Sequence, residues 1–450
     1  MDILWTLSVG VYTYYLYDFF STPKDLYWLP TPIFANFFPC IVSPIILTGR
    51  VSEFITWLCQ FWDDPSLLRI GWRKVGIVDE TLARRVLTND SMIKVPNNSE
   101  HPMIKHGLPF ISDPYKASEL RSVLQHTALS GKTLSKAKND QIWDQALVPM
   151  ILDIYNHQNK NIDPEEIIAL FVRNVVFYLV LDLPRDGSWT LPKIETGAAA
   201  RNRVIEAIIG ESSWLMKKMA SYFTTGEKPD IEGTNQFIQS IMRLNPPPSM
   251  VIAMREKGMD EEVIQCHIAT VLQAGTDTSF FALKIALILL AKNPSLQEDI
   301  YEQVKNLGET FTYSELMEAC PLVRSFVFHS LNAYTPIPLL RGRVDTQHWT
   351  EIDNLQFPPS TIFSISADET HKRNSWRDDY EKYNLSFSDG RRACPGKTLA
   401  ITELTMAIAS IVQSFKIHDV TNDDDLNKYI RSLVTRYFIK PYELKFEMIN

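Results

Sequence analysis

The longest uninterrupted helical pattern in the chain runs from Glu261 to Ala291, which corresponds to roughly 46 Å at 1.5 Å per residue. Asp260 stands where an N-cap is expected, and Asn293-Pro294 stops the helix. From about residue 115 onward the pattern is mainly helical, with apolar faces over 161–183 and 197–223. Further helices are expected from Thr312 or Ser314, from Leu322 to Tyr334 and from Leu399 to Phe415. The run Val75–Leu87 reads as a short strand, an acidic cap and a helix; strand-like pieces recur near 339–366. Phe438–Phe446 alternates weakly, as a hairpin arm would. Helix clearly exceeds strand, and the strands look local and peripheral.

Two stretches carry chemistry. The first is Ala274-Gly275-Thr276-Asp277-Thr278-Ser279, in the middle of the long helix. A glycine there costs about 1 kcal/mol relative to alanine, and an acid followed by two hydroxyls is unusual in an apolar stretch. Ser and Thr hydroxyls bond back to carbonyls and bend helices, so a groove is expected at this point. The second is Phe387-Ser-Asp-Gly390-Arg-Arg392-Ala-Cys394-Pro-Gly396, with a helix straight after it. It sets one cysteine in a Gly-rich turn at a helix N-terminus, where the partial positive charge and backbone N–H groups favour a thiolate. An anionic sulfur is what a haem iron takes as an axial ligand, and thiolate ligation favours O–O bond cleavage. Gly390 permits the tight turn, Gly396 allows close backbone approach, and Phe387 can shield the sulfur.

The remaining composition narrows the field. Net charge is −8, with no long cationic tract, which argues against a nucleic-acid partner. Cys40, Cys59, Cys266, Cys320 and Cys394 are scattered, odd in number and without a C-x-x-C pair, so neither a disulfide framework nor a zinc site is indicated. Asn97-Asn-Ser99 and Asn384-Leu-Ser386 fit the glycosylation pattern, without consequence in a cytosol-facing domain. Ile3–Tyr17 is apolar and aromatic; as a helix it reaches about 23 Å, short of the roughly 30 Å hydrocarbon core. Two readings stand for it, a microsomal-type anchor or a packed first helix.

The spacing F-x-x-G-x-R-x-C-x-G, together with A-G-x-D-T-S ahead of it, resembles the cytochrome P450 family. That resemblance implies a cytochrome P450 fold: a helix-rich single catalytic domain with small peripheral β-sheets, mainly α. It divides the chain into a possible N-terminal membrane anchor (1–20), a Pro-containing linker (21–50) and a haem-thiolate catalytic domain (51–450). The cofactor implied is heme b, iron protoporphyrin IX, with Cys394 as the metal ligand. Phe387, Gly390, Arg392 and Gly396 would line it, and Arg121 and Arg343, or its neighbour Arg341, would meet its carboxylates. Asp277 and Thr278 would handle protons as catalytic residues. The implied function is a monooxygenase acting on a small apolar substrate in specialised metabolism, by hydroxylation, desaturation or coupling. No flavin or dinucleotide fingerprint is visible, so electrons from NADPH would come through a partner flavoprotein reductase, steered by Lys372, Arg373, Arg391 and Lys397. The membrane surface of the endoplasmic reticulum, on its cytosolic face, is the implied location. Substrate contacts would come from 95–115, Gln273–Ala274, Phe280–Phe281 and Ile337–Leu340. Two other readings stay open: a haem-binding protein without turnover, and a reductase-independent hydroperoxide isomerase.

The chain departs from the family in one place. A Glu-x-x-Arg pair is expected between the two motifs, yet alignment on Tyr334 puts His329 and Asn332 there, and no Glu in the chain has an Arg three residues later. The second Arg of that network, from a Pro-Glu-Arg-Phe-like segment, also lacks a counterpart. Losing both sides is coherent, because removing one partner alone leaves a buried charge unpaired. His329 and Asn332, three apart on a helix, form a candidate neutral replacement pair. Ala117 also stands where the family's W-x-x-x-R helix, ending here at Arg121, carries Trp.

Overall fold

The computed structural model describes residues 51–61, 65–71, 74–95, 106–127, 143–183, 231–308, 310–374, 379–432 and 434–449, together with Leu26, Leu29 and Leu129. The expected anchor over 1–20, nearly all of the 21–50 linker, the helix expected over 197–223 and Asn97-Asn-Ser99 lie outside the described residues.

Eight helices position the site: α1 Val51–Phe61, α2 Glu80–Thr88, α3 Pro114–Thr127, α4 Glu165–Val175, α5 Glu261–Ala291, α6 Pro321–Ala333, α7 Ala367–Arg373 and α8 Lys397–Ser414. Helix α2 starts where the sequence places it, because the Asp79 carboxylate accepts the Leu82 N–H at 2.9 Å. Helix α5 has the expected bounds, but Asp260 makes no side-chain cap bond. Glu261 and Glu262 lie in its first turn, where the helix dipole favours negative charge. Asn293 ends α5 and caps the next helix, Pro294–Val304, by accepting the Leu296 N–H at 3.2 Å. Thr312, not Ser314, opens the helix Tyr313–Ala319 through a reciprocal capping box with Glu315.

Helix α5 is long and apolar enough to cross a membrane, yet its most apolar window is 61% buried within the protein. It packs against α4, α6 and α8, so its apolarity is that of a core helix. Lys284 of α5 is fully buried, pairs with Asp163 at 2.7 Å and Glu165 at 3.2 Å, and lies 4.2 Å over the Phe438 ring. The helix expected over 161–183 begins only at Glu165, behind Pro164. At Val175 it passes into a π-helical turn, Val176–Val180.

The strands are less local than the sequence suggests. β1 Leu67–Gly71, β2 Lys74–Ile77 and β3 Ile93–Lys94 join β5 Leu339–Val344 and β8 Ile362–Ser366 in one sheet, ordered β1-β2-β8-β5-β3. Only β2 and β8 run parallel. Between them, β6 Thr350–Ile352 and β7 Leu355–Phe357 form a hairpin. The arm expected over Phe438–Phe446 is divided between two sheets. Phe438 ends β11 Arg436–Phe438, which pairs with β10 Ile430–Ser432. Leu444 opens β12 Leu444–Met448, which pairs with β9 Phe415–Asp419 and β4 Asn161–Ile162. Pro441 lies between the two strands, and proline cannot donate to a ladder.

Candidate active site

The cysteine turn is closed by its own backbone and fastened to α2. The Cys394 N–H donates to the Phe387 carbonyl at 2.7 Å, and Asp389 accepts the Gly390 N–H at 2.7 Å. Gly390 has φ +67°, and a Cβ there would lie 2.4 Å from the Leu87 carbonyl oxygen. Conformation and space therefore both require glycine at this position. Arg84 of α2 pairs with Asp389, and Arg391 pairs with Asp90 at 2.6 Å.

Cys394 is exposed, yet protein crowds its sulfur closely enough that burial pushes the thiol above its usual pKa. Both observations hold where other atoms of the residue meet solvent and the thiol is surrounded by protein. The N–H of Gly396, the charges of Arg121 and Lys94, and the N–H of Lys397 all pull the pKa down. The donors expected at the helix N-terminus are present, but burial outweighs them, so the protein by itself favours the thiol. A coordinating metal deprotonates a thiol outright, and this donor set suits a sulfur ionised by a metal.

The neighbouring candidates are placed as follows. Arg121 of α3 donates to the Ala393 carbonyl, beside the cysteine, and burial lowers its pKa. Arg392 donates to the carbonyls of Leu108 at 3.0 Å and Ile111 at 2.8 Å. Arg343 is buried in β5, opposite Lys94 of β3 and Phe363 of β8. Phe387 packs on the main core, with the Lys397 ammonium 5.9 Å from its ring centroid. A Cβ on Gly396 would sit 3.8 Å from the Cys394 sulfur, an ordinary contact, so close approach within the protein does not explain that glycine.

On α5 the polar notch is helical throughout. Thr278 donates to the Ala274 carbonyl at 2.7 Å and Thr276 to the Leu272 carbonyl at 2.6 Å, the back-bonding the sequence implies. The expected bend does not interrupt the helix. Gly275 instead serves packing: a Cβ there would stand 2.8 Å from a Val176 methyl of the π-helical turn. Ala274 is exposed amid a largely buried helix, and Asp277 and Thr278 are half-buried. Ser279 donates to Glu403 of α8, and both are buried. Burial pushes Glu403 up to about 8, so the carboxyl is protonated at neutral pH. This bond joins the helix that begins at the cysteine to the helix that carries Asp277 and Thr278. The sequence offered one sign of it, a lone Glu among apolar residues of α8. His267 was missed altogether. It is fully buried in α5, both ring nitrogens lack a hydrogen-bond partner, and burial lowers its pKa to about 4.

The cytochrome P450 family profile matches residues 30–446. The chain belongs to the cytochrome P450 family. Among curated relatives, cytochrome P450 27C1 of Aquarana catesbeiana is 30% identical over 36% of this chain and 33% of its own length. Cytochrome P450 71A8 of Mentha piperita is 23% identical over 42% of this chain and 40% of its own. The (S)-N-methylcoclaurine 3'-hydroxylase isozyme 1 of Papaver somniferum is 27% identical over 36% and 37%. The matches thus span between a third and about two fifths of these relatives.

Within this P450 one expectation is corrected, and two others can be placed. His329 and Asn332 do not pair with each other. His329 meets the Tyr380 ring edge-on, 5.0 Å between centroids, while Asn332 donates to the Tyr380 carbonyl at 3.2 Å. They diverge because residues on one helix face each take a partner from the segment lying across it. The cations expected to steer a redox partner have local partners on different elements, which leaves the steering expectation open. Lys372 bonds Thr56, Arg373 the Pro65 carbonyl, Arg391 pairs with Asp90, and Lys397 lies over Phe328 and Phe387. Phe281 is fully buried, with its ring against that of Phe438.

Proposed function

We propose that this P450 is a haem-thiolate monooxygenase that oxidises a small apolar substrate with dioxygen. The observation that carries this reading is the closed turn that sets Cys394 just ahead of α8, the helix bonded through Glu403 to the residue next to Thr278. The residues present fit heme b. Cys394 would ligate its iron, Phe387 would shield the sulfur, and Gly390 would keep the turn closed on α2. When bound, the haem supplies dioxygen activation and one-electron chemistry.

The chain's own groups do the rest. Arg121 uses one of its five donors on Ala393, and its fork-shaped head suits a carboxylate, as do those of Arg392 and Arg343. Thr278 holds a proton at Oγ1, beside Asp277 on the same half-buried stretch of α5, and the two together would pass protons inward from solvent. Exposed Ala274 leaves room for substrate beside them. Electrons come from NADPH through a separate flavoprotein reductase, and Ile3–Tyr17 anchors the chain at the endoplasmic reticulum membrane. The place in specialised metabolism belongs to the same reading, and the match to a plant (S)-N-methylcoclaurine 3'-hydroxylase is what supports it.

The test is the reduced, carbon-monoxide-bound absorption spectrum of the full chain. A thiolate-type Soret band is expected, and Cys394→Ala should abolish it. An imidazole-type band in the wild type overturns the assignment. Thr278→Ala should release more peroxide per NADPH consumed, and equal coupling defeats the proton role. Turnover of a hydroperoxide without a donor would instead show an isomerase. Haem binding without substrate-dependent NADPH use would show a carrier.

A further inference from the structure

Residues 380–386, which lead into the cysteine turn, lie along α6, and most of what holds them there is uncharged. Asn332 of α6 donates to the Tyr380 carbonyl at 3.2 Å and accepts from the Asn384 side chain at 2.6 Å. Asn384 also donates to the Ser386 hydroxyl at 3.2 Å and accepts the Ser386 N–H at 3.0 Å. The Ser386 hydroxyl donates to the Leu331 carbonyl at 3.3 Å. From the other side, the Leu385 N–H donates to the His371 ring of α7 at 2.8 Å. Phe387 follows, and its carbonyl holds the Cys394 N–H. Among the described residues the one ion pair of this segment is Arg324–Glu381, at its outer edge.

The backbone dictates how both amides point. A carbonyl only accepts, so Asn332 must turn its NH₂ to Tyr380 and its oxygen to Asn384. A backbone N–H only donates, so Asn384 must turn its oxygen to Ser386 and its NH₂ to Asn332. These two requirements are independent, yet they leave the amides complementary. A swap of either side chain's orientation would oppose like atoms. Asn384 and Leu385 are buried, so each broken bond would strand a polar group away from water. A neutral network also avoids the desolvation that a buried ion pair incurs.

We propose that Asn332 and Asn384 are positioning residues for the cysteine turn. As a neutral latch they do the work of the Glu-x-x-Arg network, fixing residues 384–387 on α6 so that the Cys394 sulfur is presented to the haem. This rests on the haem-thiolate reading above.

The test uses the full chain loaded with haemin, reduced under carbon monoxide, at a temperature well below unfolding. The readout is the fraction of thiolate-type Soret band and its rate of conversion to the shorter-wavelength form in mild urea. Asn384→Asp keeps the shape but removes the donor, and Asn332→Ala removes the partner. Each should convert at least tenfold faster, equivalent to about 1.4 kcal/mol, and the double variant should be no worse than the worse single. Arg324→Met serves as the control, since it loosens the same segment at its outer edge and should lower the unfolding midpoint without changing the band. If Asn384→Asp does not fold, Asn332→Ala and Ser386→Ala carry the same comparison. Unchanged thiolate fraction and conversion rate in the folded latch variants, with the band still lost in Cys394→Ala, overturn the latch alone. A wild type without the thiolate band overturns the haem-thiolate reading and the latch with it.

Discussion

Glu403, in the helix that begins just after Cys394, accepts a hydrogen bond from Ser279, the chain neighbour of Thr278. The pair lies where α8 crosses α5, so it sets how the helix that follows the cysteine turn registers against the helix of Asp277 and Thr278. A polar pair in an apolar interface is a device for register more than for stability.

Its carboxyl makes stability depend on pH. Burial raises Glu403 from 4.5 to about 8, with the Ser279 bond pulling the other way. Between those values the folded protein holds a proton that the unfolded chain releases. The contribution of this carboxyl is therefore greatest below pH 4.5 and falls as pH rises towards 8, by about 1.4 kcal/mol per unit. Glu403→Gln has no proton to lose. Its urea midpoint should stay flatter from pH 6.5 to 8, above the range in which the buried histidines titrate, and exceed that of the wild type at the upper end. Parallel pH profiles would contradict the buried, protonated carboxyl.

Gly390 and Gly258 form a controlled pair. Both have positive φ, but a Cβ at Gly258 meets nothing within 4 Å, whereas one at Gly390 meets the Leu87 carbonyl at 2.4 Å. Gly258→Ala should cost only the left-handed backbone term, about 1–2 kcal/mol. Gly390→Ala should cost clearly more and loosen haem retention. Equal losses in urea unfolding would show that the turn can move away from α2.

Gly275→Ala separates helix propensity from packing. Alanine is better than glycine in a helix interior by about 1 kcal/mol, but here its methyl would press on Val176 at 2.8 Å. In the wild-type background the change should be neutral or destabilising. In a Val176→Ala background it should stabilise by about 1 kcal/mol. A double-mutant cycle with no coupling would place the constraint elsewhere.

His371 carries an acid-sensitive bond. Its ring must be neutral to accept the Leu385 N–H, and burial lowers its pKa to about 4, with nearby Asp368 opposing. The unfolded chain binds this proton near pH 6.5, so the contribution to stability is present above 6.5 and is lost as pH falls towards 4. His371→Gln should reduce the slope of stability against pH in that window, as followed by urea unfolding. An unchanged slope would show that another group titrates there.

Much of the architecture was legible in the sequence, because α5, α6 and α8 are long and largely apolar runs, and prolines lie just beyond α5 and α6. The cysteine turn was legible because Gly390 admits no other residue. The five-stranded sheet was not, since its partners lie far apart in the chain and short strands carry little register information. The division at Pro441 and the π-helical turn at Val176 follow from tertiary packing that local pattern does not encode. The place of the missing Glu-x-x-Arg pair was visible, but not its substitute. Asn384 sits in a stretch that reads as an ordinary polar loop, and only the fold brings it to Asn332. The donors at the helix end near Cys394 were legible, whereas the burial that opposes them is a product of tertiary packing.

Asn384 also begins an Asn-Leu-Ser triplet, and its buried amide nitrogen is committed to Asn332 and Ser386. A sugar joined to that nitrogen would replace one of its hydrogens and force a bulky, water-seeking group between α6 and the approach to Cys394. If the nascent polypeptide were threaded into a compartment where oligosaccharides are attached, decoration at Asn384 would arrest maturation before the sulfur was in place. Sidedness of insertion would then decide whether a competent protein is made at all.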